Sequence, residues 1–495
     1  MEQYKKNELI DKAKKQLNDR AACDALHKNG KLSAHELMNA FFDEGSFVET
    51  SAYVKNLADE LGSEAGTSYE GVITGYGAVD GRLVFAYSQD VSRLNGAFSA
   101  AAAAKIESLY ALARKNGAPV VSLFDSNGAK VLDGISVLGA YGRIMRSAAA
   151  VKGVLPQIAV VLGKAVGASS VIASMADIVI VTEGSTLSVS PVNVLIDAGA
   201  DKSVADAKNV YEAGEAAVYA ANPKEAAAKA REILSYLPAN RADHSVVGGI
   251  EDDPGRAVPE LEPIVSREDY DAHELLAALS DGGKYTELFG GRCGSMITAL
   301  AFIGGMPVGV IANDPSHKGG RLCAAAFDKA EKLASLCAAF GVSIVDLVGT
   351  SGFSVECEAK GKAMYGKAAR FALTLSGCRA PVVTLYIGKA YGTAFTLLGS
   401  KALGADMVFA LPTASIGVLS PSAGTAMLLS DRLSGAKNPK EKRARLEEDY
   451  ELYECTPLLA ASVGEIDDII APVEARARIA SALEMLSMKT QFETL

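Results

Sequence analysis

GVITGYGAVDGRLVFAYSQD (residues 71–90) and SMITALAFIGGMPVGVIAND (residues 295–314) are two versions of one segment, 224 positions apart. The shift superposes Ile73 on Ile297, Gly81 on Gly305, Val84 on Val308 and Asp90 on Asp314. Held constant, it also places Gly96 on Gly320, Lys105 on Lys329, Gly117 on Gly341 and Gly128 on Gly352. At 225 it places Pro156 on Pro381, Gly163-Lys164-Ala165 on Gly388-Lys389-Ala390, and Gly167 on Gly392. After four further residues in the second copy, Ala176-Asp177 meets Ala405-Asp406. An ordered series of this length marks an internal duplication.

Each copy therefore predicts one domain, with residues 1–245 and 246–495 as the two halves. A β-hairpin leads into a helix (97–115; 324–339), an apolar strand (119–124; 343–348), a glycine turn, another helix and a second apolar strand (157–162; 381–387). Strands alternating with helices predict an α/β fold with buried strands. Ser295 to Ala312 carries no charge over 18 residues, but Gly304-Gly305 at its centre reads as a hairpin and not a membrane span. Residues 222–286, rich in charge and proline, read as a terminal helix, a linker and the lead-in to the second copy. Residues 29–49 read as a helical hairpin or arm.

The 495 residues are 49% hydrophobic and 22% charged, a globular balance able to bury a large core. Lys and Arg number 49 against 59 acidic residues, and no basic run offsets the net charge of −10, which excludes a nucleic-acid backbone as partner. Tryptophan is absent and glycines number 47, so stacking platforms are not expected and close backbone approaches are. Seven cysteines without Cys-x-x-Cys spacing read as thiols of a reducing compartment, with neither zinc nor a disulfide framework. The N-terminal MEQYKKNELIDKAKK is charged and lacks the apolar core of a secretion signal.

Two glycine turns recur in each copy: Asp125-Ser126-Asn127-Gly128-Ala129 with Thr350-Ser351-Gly352-Phe353, and Lys164 to Ser170 with Lys389 to Ala394. A small residue there admits a carbonyl close to the backbone, where N–H groups at a helix start hold a developing oxyanion. Plain helix–strand packing explains the same small residues and stays open at this stage. Side chains of other chemistries are missing: none of the five histidines lies in one of these glycine turns, and no HExxH or GxSxG occurs. His317 reads as a solvated loop residue. Lys105 and Lys329 read as solvated helix lysines, with phosphate binding as the alternative. Met488-Lys489-Thr490 lacks the flanking glycines and strands of a biotin attachment hairpin.

With these motifs, and with KLSAHELMNAFFDEGSFVE, DKAEKLASLCAAFG, GKAYGTAF and GEIDDIIAPVEARARI, the chain resembles the acyl-CoA carboxyltransferase family over residues 30–478. The propionyl-CoA carboxylase β and methylmalonyl-CoA decarboxylase α subunits belong to it. The resemblance implies two tandem crotonase-like domains in a cytoplasmic homo-oligomer, from dimer to hexamer, with active sites where the first domain of one subunit meets the second of another. It implies an acyl-CoA side, with Gly96, Ala97, Lys105, Gly128 and Ala129 binding the coenzyme A thioester. The other side binds carboxybiotin, with Gly352, Phe353, Tyr391, Gly392 and Thr396. It further implies oxyanion holes at Gly167 and Ala168 for the thioester and at Thr393 and Ala394 for biotin. CO2 would pass between biotin and the α-carbon of propionyl-CoA or methylmalonyl-CoA, the biotin nitrogen taking the proton. Biotin would arrive on a carboxyl carrier protein, with biotin carboxylase or membrane decarboxylase subunits as further partners.

The chain departs from the family's motifs at several positions. DSGGAR is here Asp125 to Lys130, Gly-Gly-Ala is Gly167-Ala168-Ser169, and Tyr-Gly-Gly-Ala-Tyr-Asp is Tyr391 to Thr396. Alanine and threonine keep the backbone donors, and Lys130 keeps the charge of arginine without its fork. Two other readings remain: another CoA-thioester enzyme using a carboxylate such as Glu356 or Glu358, and a non-catalytic paralogue that assembles with an active carboxyltransferase.

Overall fold

In a computed structural model of the chain, residues 2–17, 20–28, 30–55, 69–243, 252–361, 363–433 and 438–489 are described. The chain divides into two compact units, Met1–Asp243 and His244–Leu495. The boundary expected between residues 245 and 246 lies outside the described residues.

In chain order the strands of the first unit are β1 (Val48–Thr50), β2 (Val72–Val79), β3 (Arg82–Gln89), β4 (Val120–Phe124), β5 (Gln157–Val161), β6 (Lys164–Val166), β7 (Ile178–Thr182), β8 (Thr186–Ser188) and β9 (Val218–Ala220). Those of the second are β10 (Tyr285–Glu287), β11 (Met296–Ile303), β12 (Met306–Asn313), β13 (Ser343–Val348), β14 (Val382–Tyr386), β15 (Lys389–Tyr391), β16 (Met407–Ala410), β17 (Ser415–Gly417) and β18 (Asp468–Ile469). Among the described residues each unit has a seven-stranded sheet, ordered β1-β2-β3-β4-β5-β7-β9 and β10-β11-β12-β13-β14-β16-β18, with β6·β8 and β15·β17 as separate parallel pairs. The first three strands of each sheet are antiparallel and the rest parallel. The duplication read from the sequence is thus a duplication of topology.

The parallel strands VVSLF, QIAVV and VVTLY are buried at every position, as strands covered on both faces must be. Residues 295–312 form the hairpin β11–β12, and among the described residues no helix is long and apolar enough to cross a membrane. The helices after the hairpins run Ala100–Asn116 and Ala324–Phe340, each stopped by a glycine in the left-handed region, Gly117 (φ 62°) and Gly341 (φ 69°). The first starts three residues later than its sequence predicts, because Phe98 is paired with Ala129 and the Ser99 side chain caps the helix on Ala102 N–H.

One expectation is corrected. Of the two readings of this stretch, hairpin or arm, the hairpin does not hold between residues 30 and 49. A single helix, Ala34–Phe41, is closed by a Ser33/Glu36 capping box, and β1 follows as an edge strand on β2. The bulky aromatics of that stretch serve this packing: Phe41 and Phe42 are buried and meet edge to face at 5.0 Å.

Asp346, in the middle of β13, is wholly buried, and its Oδ2 has no hydrogen-bond partner among the described residues. Burial lifts its carboxyl to about 8, so the fold holds it protonated at neutral pH. In the unfolded chain it ionises near ~3.9. The native state therefore binds an extra proton between those values, and the fold loses stability as pH rises from about 4 to about 8, by at most about 1.4 kcal/mol per pH unit. Asp346→Asn should remove that slope. Urea unfolding at pH 5.5 and pH 7.5 checks it, and a slope equal to that of the parent chain would refute the assignment.

Candidate carboxyl-transfer site

The glycine turns are built alike in the two units. After β4, Ser126 N–H donates to Lys164 O (2.8 Å), and after β13, Thr350 N–H donates to Lys389 O (2.6 Å). The hydroxyls of these two residues accept from Gly128 N–H (3.0 Å) and Gly352 N–H (3.1 Å). Phe98 N–H then donates to Gly128 O (2.8 Å), and Leu322 N–H to Gly352 O (2.9 Å). Gly96 is obligatory, since φ is 65° and a Cβ would sit 2.3 Å from Asp125 O; Gly320, also at φ 65°, would meet Gly349 O at 2.5 Å. So Gly96, Ala97, Gly128 and Ala129 come together in the first unit, and Gly352 and Phe353 join the turn at Lys389 to Tyr391 in the second.

The second turn of each unit opens a short helix, Ala168–Ser174 and Thr393–Leu397. Gly167 (φ 67°, ψ −133°) and Gly392 (φ 56°, ψ −134°) take a conformation reserved for glycine and swing the chain from strand into helix. Their own N–H groups are already engaged, Gly167 on Ser188 O (3.0 Å) and Gly392 on Gly417 O (2.9 Å). Gly167 is therefore corrected from donor to pivot. Ala168 and Ser169 in the first unit, and Thr393, Ala394 and Phe395 in the second, are helix-start residues whose N–H groups have no acceptor among the described residues, whereas Ser170 N–H donates to Gly167 O (3.1 Å). Ser169, at the third position of the Gly-Gly-Ala motif, is not among the donors that the resemblance implies; the offset from Gly392 to Ala394, applied at Gly167, points to it.

Tyr391 donates to or accepts from Ser415 Oγ at 2.8 Å, and burial pushes its phenol up to about 12, so it stays neutral. Thr393 and Thr396 are exposed, whereas Ala394 is buried. Glu356 and Glu358 lie exposed on the helix Val355–Ala359. Gly349, Thr350 and Lys389 line a cavity of about 400 Å³, together with Arg267 and Tyr270. Those two come from the stretch read only as linker and lead-in, whose composition carries no site signal.

Lys105 and Lys329 are not solvated. Their side chains are 4% and 1% exposed, and their ammonium groups donate to Val72 O and Arg292 O. Burial depresses both, Lys105 to about 8. Lys105 is therefore removed from the acyl-CoA contacts and assigned to the interior, where it ties its helix to β2. Lys130 is likewise buried, 3.6 Å from Asp133. His317 does lie exposed, its ring 2.7 Å from Asp314 Oδ2. Lys489 pairs with Asp406 Oδ2 at 2.8 Å.

The sequence profile of the carboxyl transferase domain matches residues 25–495. The chain belongs to the carboxyl transferase family. It is 32% identical to the propionyl-CoA carboxylase beta chain of Saccharopolyspora erythraea, an alignment covering 94% of this chain and 89% of that one. It is 32% identical to the methylmalonyl-CoA decarboxylase alpha subunit of Propionigenium modestum, over 94% of this chain and 92% of that one. The crystal structure of transcarboxylase 12S, described as a hexamer with methylmalonyl-coenzyme A and methylmalonic acid bound, matches with a TM-score of 0.91. That match is 29% identical and covers 98% of this chain and 95% of that one. Within this family the two α/β units are two tandem crotonase-like domains, and the enzyme is a carboxyltransferase related to biotin-dependent carboxylases and decarboxylases.

Proposed function

We propose that this carboxyltransferase moves CO2 between biotin and the α-carbon of propionyl-CoA or methylmalonyl-CoA, using one backbone oxyanion hole in each unit. The observation that carries this is the pair of unpartnered helix-start donors at equivalent turns, Ala168 and Ser169 in one unit and Thr393 and Ala394 in the other. Two preorganised N–H groups stabilise an enolate or ureido oxygen without any titrating side chain. That fits turns free of histidine and carboxylate. When bound, biotin supplies the CO2 and the nitrogen that accepts the α-proton. The chain's own part is to hold the thioester oxygen at Ala168 and Ser169 and the ureido oxygen at Thr393 and Ala394. The small residues Gly96 and Gly128 leave room for the thioester, while Gly352, Phe353, Tyr391 and Thr396 border the biotin side. A carrier protein bears the biotin, the assembly is a homo-oligomer, and its place is the cytoplasm, alone or beside membrane subunits.

Incubating the purified chain with free biotin and methylmalonyl-CoA, then malonyl-CoA, tests this. Biotin-dependent release of CO2 is the expected result. Release independent of biotin would turn the reading towards another CoA-thioester enzyme, and an inert oligomer towards a non-catalytic paralogue.

A further inference from the structure

The cap of the Ala100–Asn116 helix is Ser99, whose hydroxyl donates to Glu70 Oε2 at 2.5 Å beside the buried Lys105. In the second copy the cap is Cys323, and the position 224 residues on from Glu70 is Gly294, which offers no anion. The neighbouring Cys293 takes its place. Its sulfur lies 3.3 Å from Cys323 Sγ and 3.4 Å from Ser295 Oγ, and its backbone sits at φ 57°. Both cysteines are free thiols and only partly buried. A Ser–Glu pair in one repeat is thus a Cys–Cys pair in the other, facing Lys329 as the first faces Lys105.

We propose that Cys293 and Cys323 are a redox-sensitive dithiol, closed to an intramolecular disulfide by low-molecular-weight disulfides. The Cys293 thiolate attacks one sulfur of the small disulfide RS–SR and expels RS⁻, leaving a mixed disulfide on Cys293. Cys323 then loses its proton, and its sulfur attacks Cys293 Sγ and expels the second RS⁻. Two cysteine thiols are oxidised by two electrons, and one small disulfide is reduced to two thiols, which take up the two protons. The local chemistry assigns the roles. A hydrogen bond from the Cys323 thiol brings Cys293 down to about 6 against the effect of burial, with Ser295 and the Lys329 ammonium acting the same way. The same hydrogen bond, together with burial, pushes Cys323 up, so it is the resolving thiol. Cys323 directly follows Leu322, whose N–H and C=O are bound to the turn at Gly352 and Ser354. The dithiol is therefore joined to the biotin-side turn through one peptide unit.

The test uses the full chain and glutathione disulfide. Oxidation should lower the free-thiol count of the denatured protein by two from seven, with a proteolytic fragment linking residues 293 and 323 that dithiothreitol releases. Cys323→Ser should stop at one glutathione on Cys293, and Cys293→Ser should give neither product. Without any substitution, a brief iodoacetamide pulse at pH 7 should alkylate Cys293 about tenfold faster than Cys357. Absence of the 293–323 linkage, or alkylation of Cys293 no faster than that of Cys357, would overturn the proposal.

Discussion

Thr393→Pro is expected to lower carboxyl transfer by about 100- to 1,000-fold, the loss typical of removing one oxyanion donor, while the chain stays folded. Thr393 is the first residue of its helix, where proline is well accommodated because its φ already matches and the missing N–H has no intrahelical partner. The substitution therefore deletes one donor and little else. Thr393→Ala keeps the N–H and should stay within about tenfold of the parent rate, which separates the backbone from the hydroxyl. Ala168→Pro makes the same change at the first residue of the matching helix. The two variants should fail alike in initial-rate assays of biotin-dependent methylmalonyl-CoA decarboxylation, with far-UV circular dichroism melts showing that both fold. Full activity in Thr393→Pro would remove that N–H from the mechanism.

The equivalence of these helices was legible in the sequence because Gly167 and Gly392 need a conformation that other residues strain to adopt, and such a need survives duplication. The same holds for Gly96 with Gly320 and for Gly117 with Gly341. Which N–H groups are free was not legible, because β8 and β17 supply the acceptors for the two glycines and those strands carry no register in the sequence. The buried lysines were misread for a related reason. A lysine in an alanine-rich helix looks solvated unless the strand beneath it is known to offer a carbonyl, as Val72 does to Lys105. The edge strands β1 and β10 escaped notice because they are three residues long and follow helices of unlike spacing.

Arg476→Met is expected to cost about 3–5 kcal/mol, the loss that follows removal of one partner from a buried ion pair. Arg476 is wholly buried, with Nη2 2.6 Å from Asp281 Oδ1 and 3.3 Å from Asp252 Oδ2, and Nη1 on the carbonyls of Asp253 and Pro254. Asp281 in turn accepts from Gly304 N–H (2.8 Å) and Gly305 N–H (2.7 Å) at the turn of the β11–β12 hairpin. Without the guanidinium, Asp281 keeps its two backbone bonds but loses the ion pair that ties it to the buried end of the staple. The first unit repeats the device: Asp43 accepts from Asp80 N–H (3.1 Å) and Gly81 N–H (2.9 Å), and Arg231 reaches it at 2.8 Å. No constant shift relates these residues, since Asp43 to Asp281 spans 238 positions and Arg231 to Arg476 spans 245. The staple was for that reason invisible to the repeat. Arg231 is a quarter exposed, so water can replace it, and Arg231→Met should cost no more than about 2 kcal/mol. Urea unfolding of both variants, read from the midpoint at unchanged m, measures the difference. Equal losses would mean that burial does not set the strength of the staple, and a loss below about 1 kcal/mol for Arg476→Met would mean that its carboxylates find other partners.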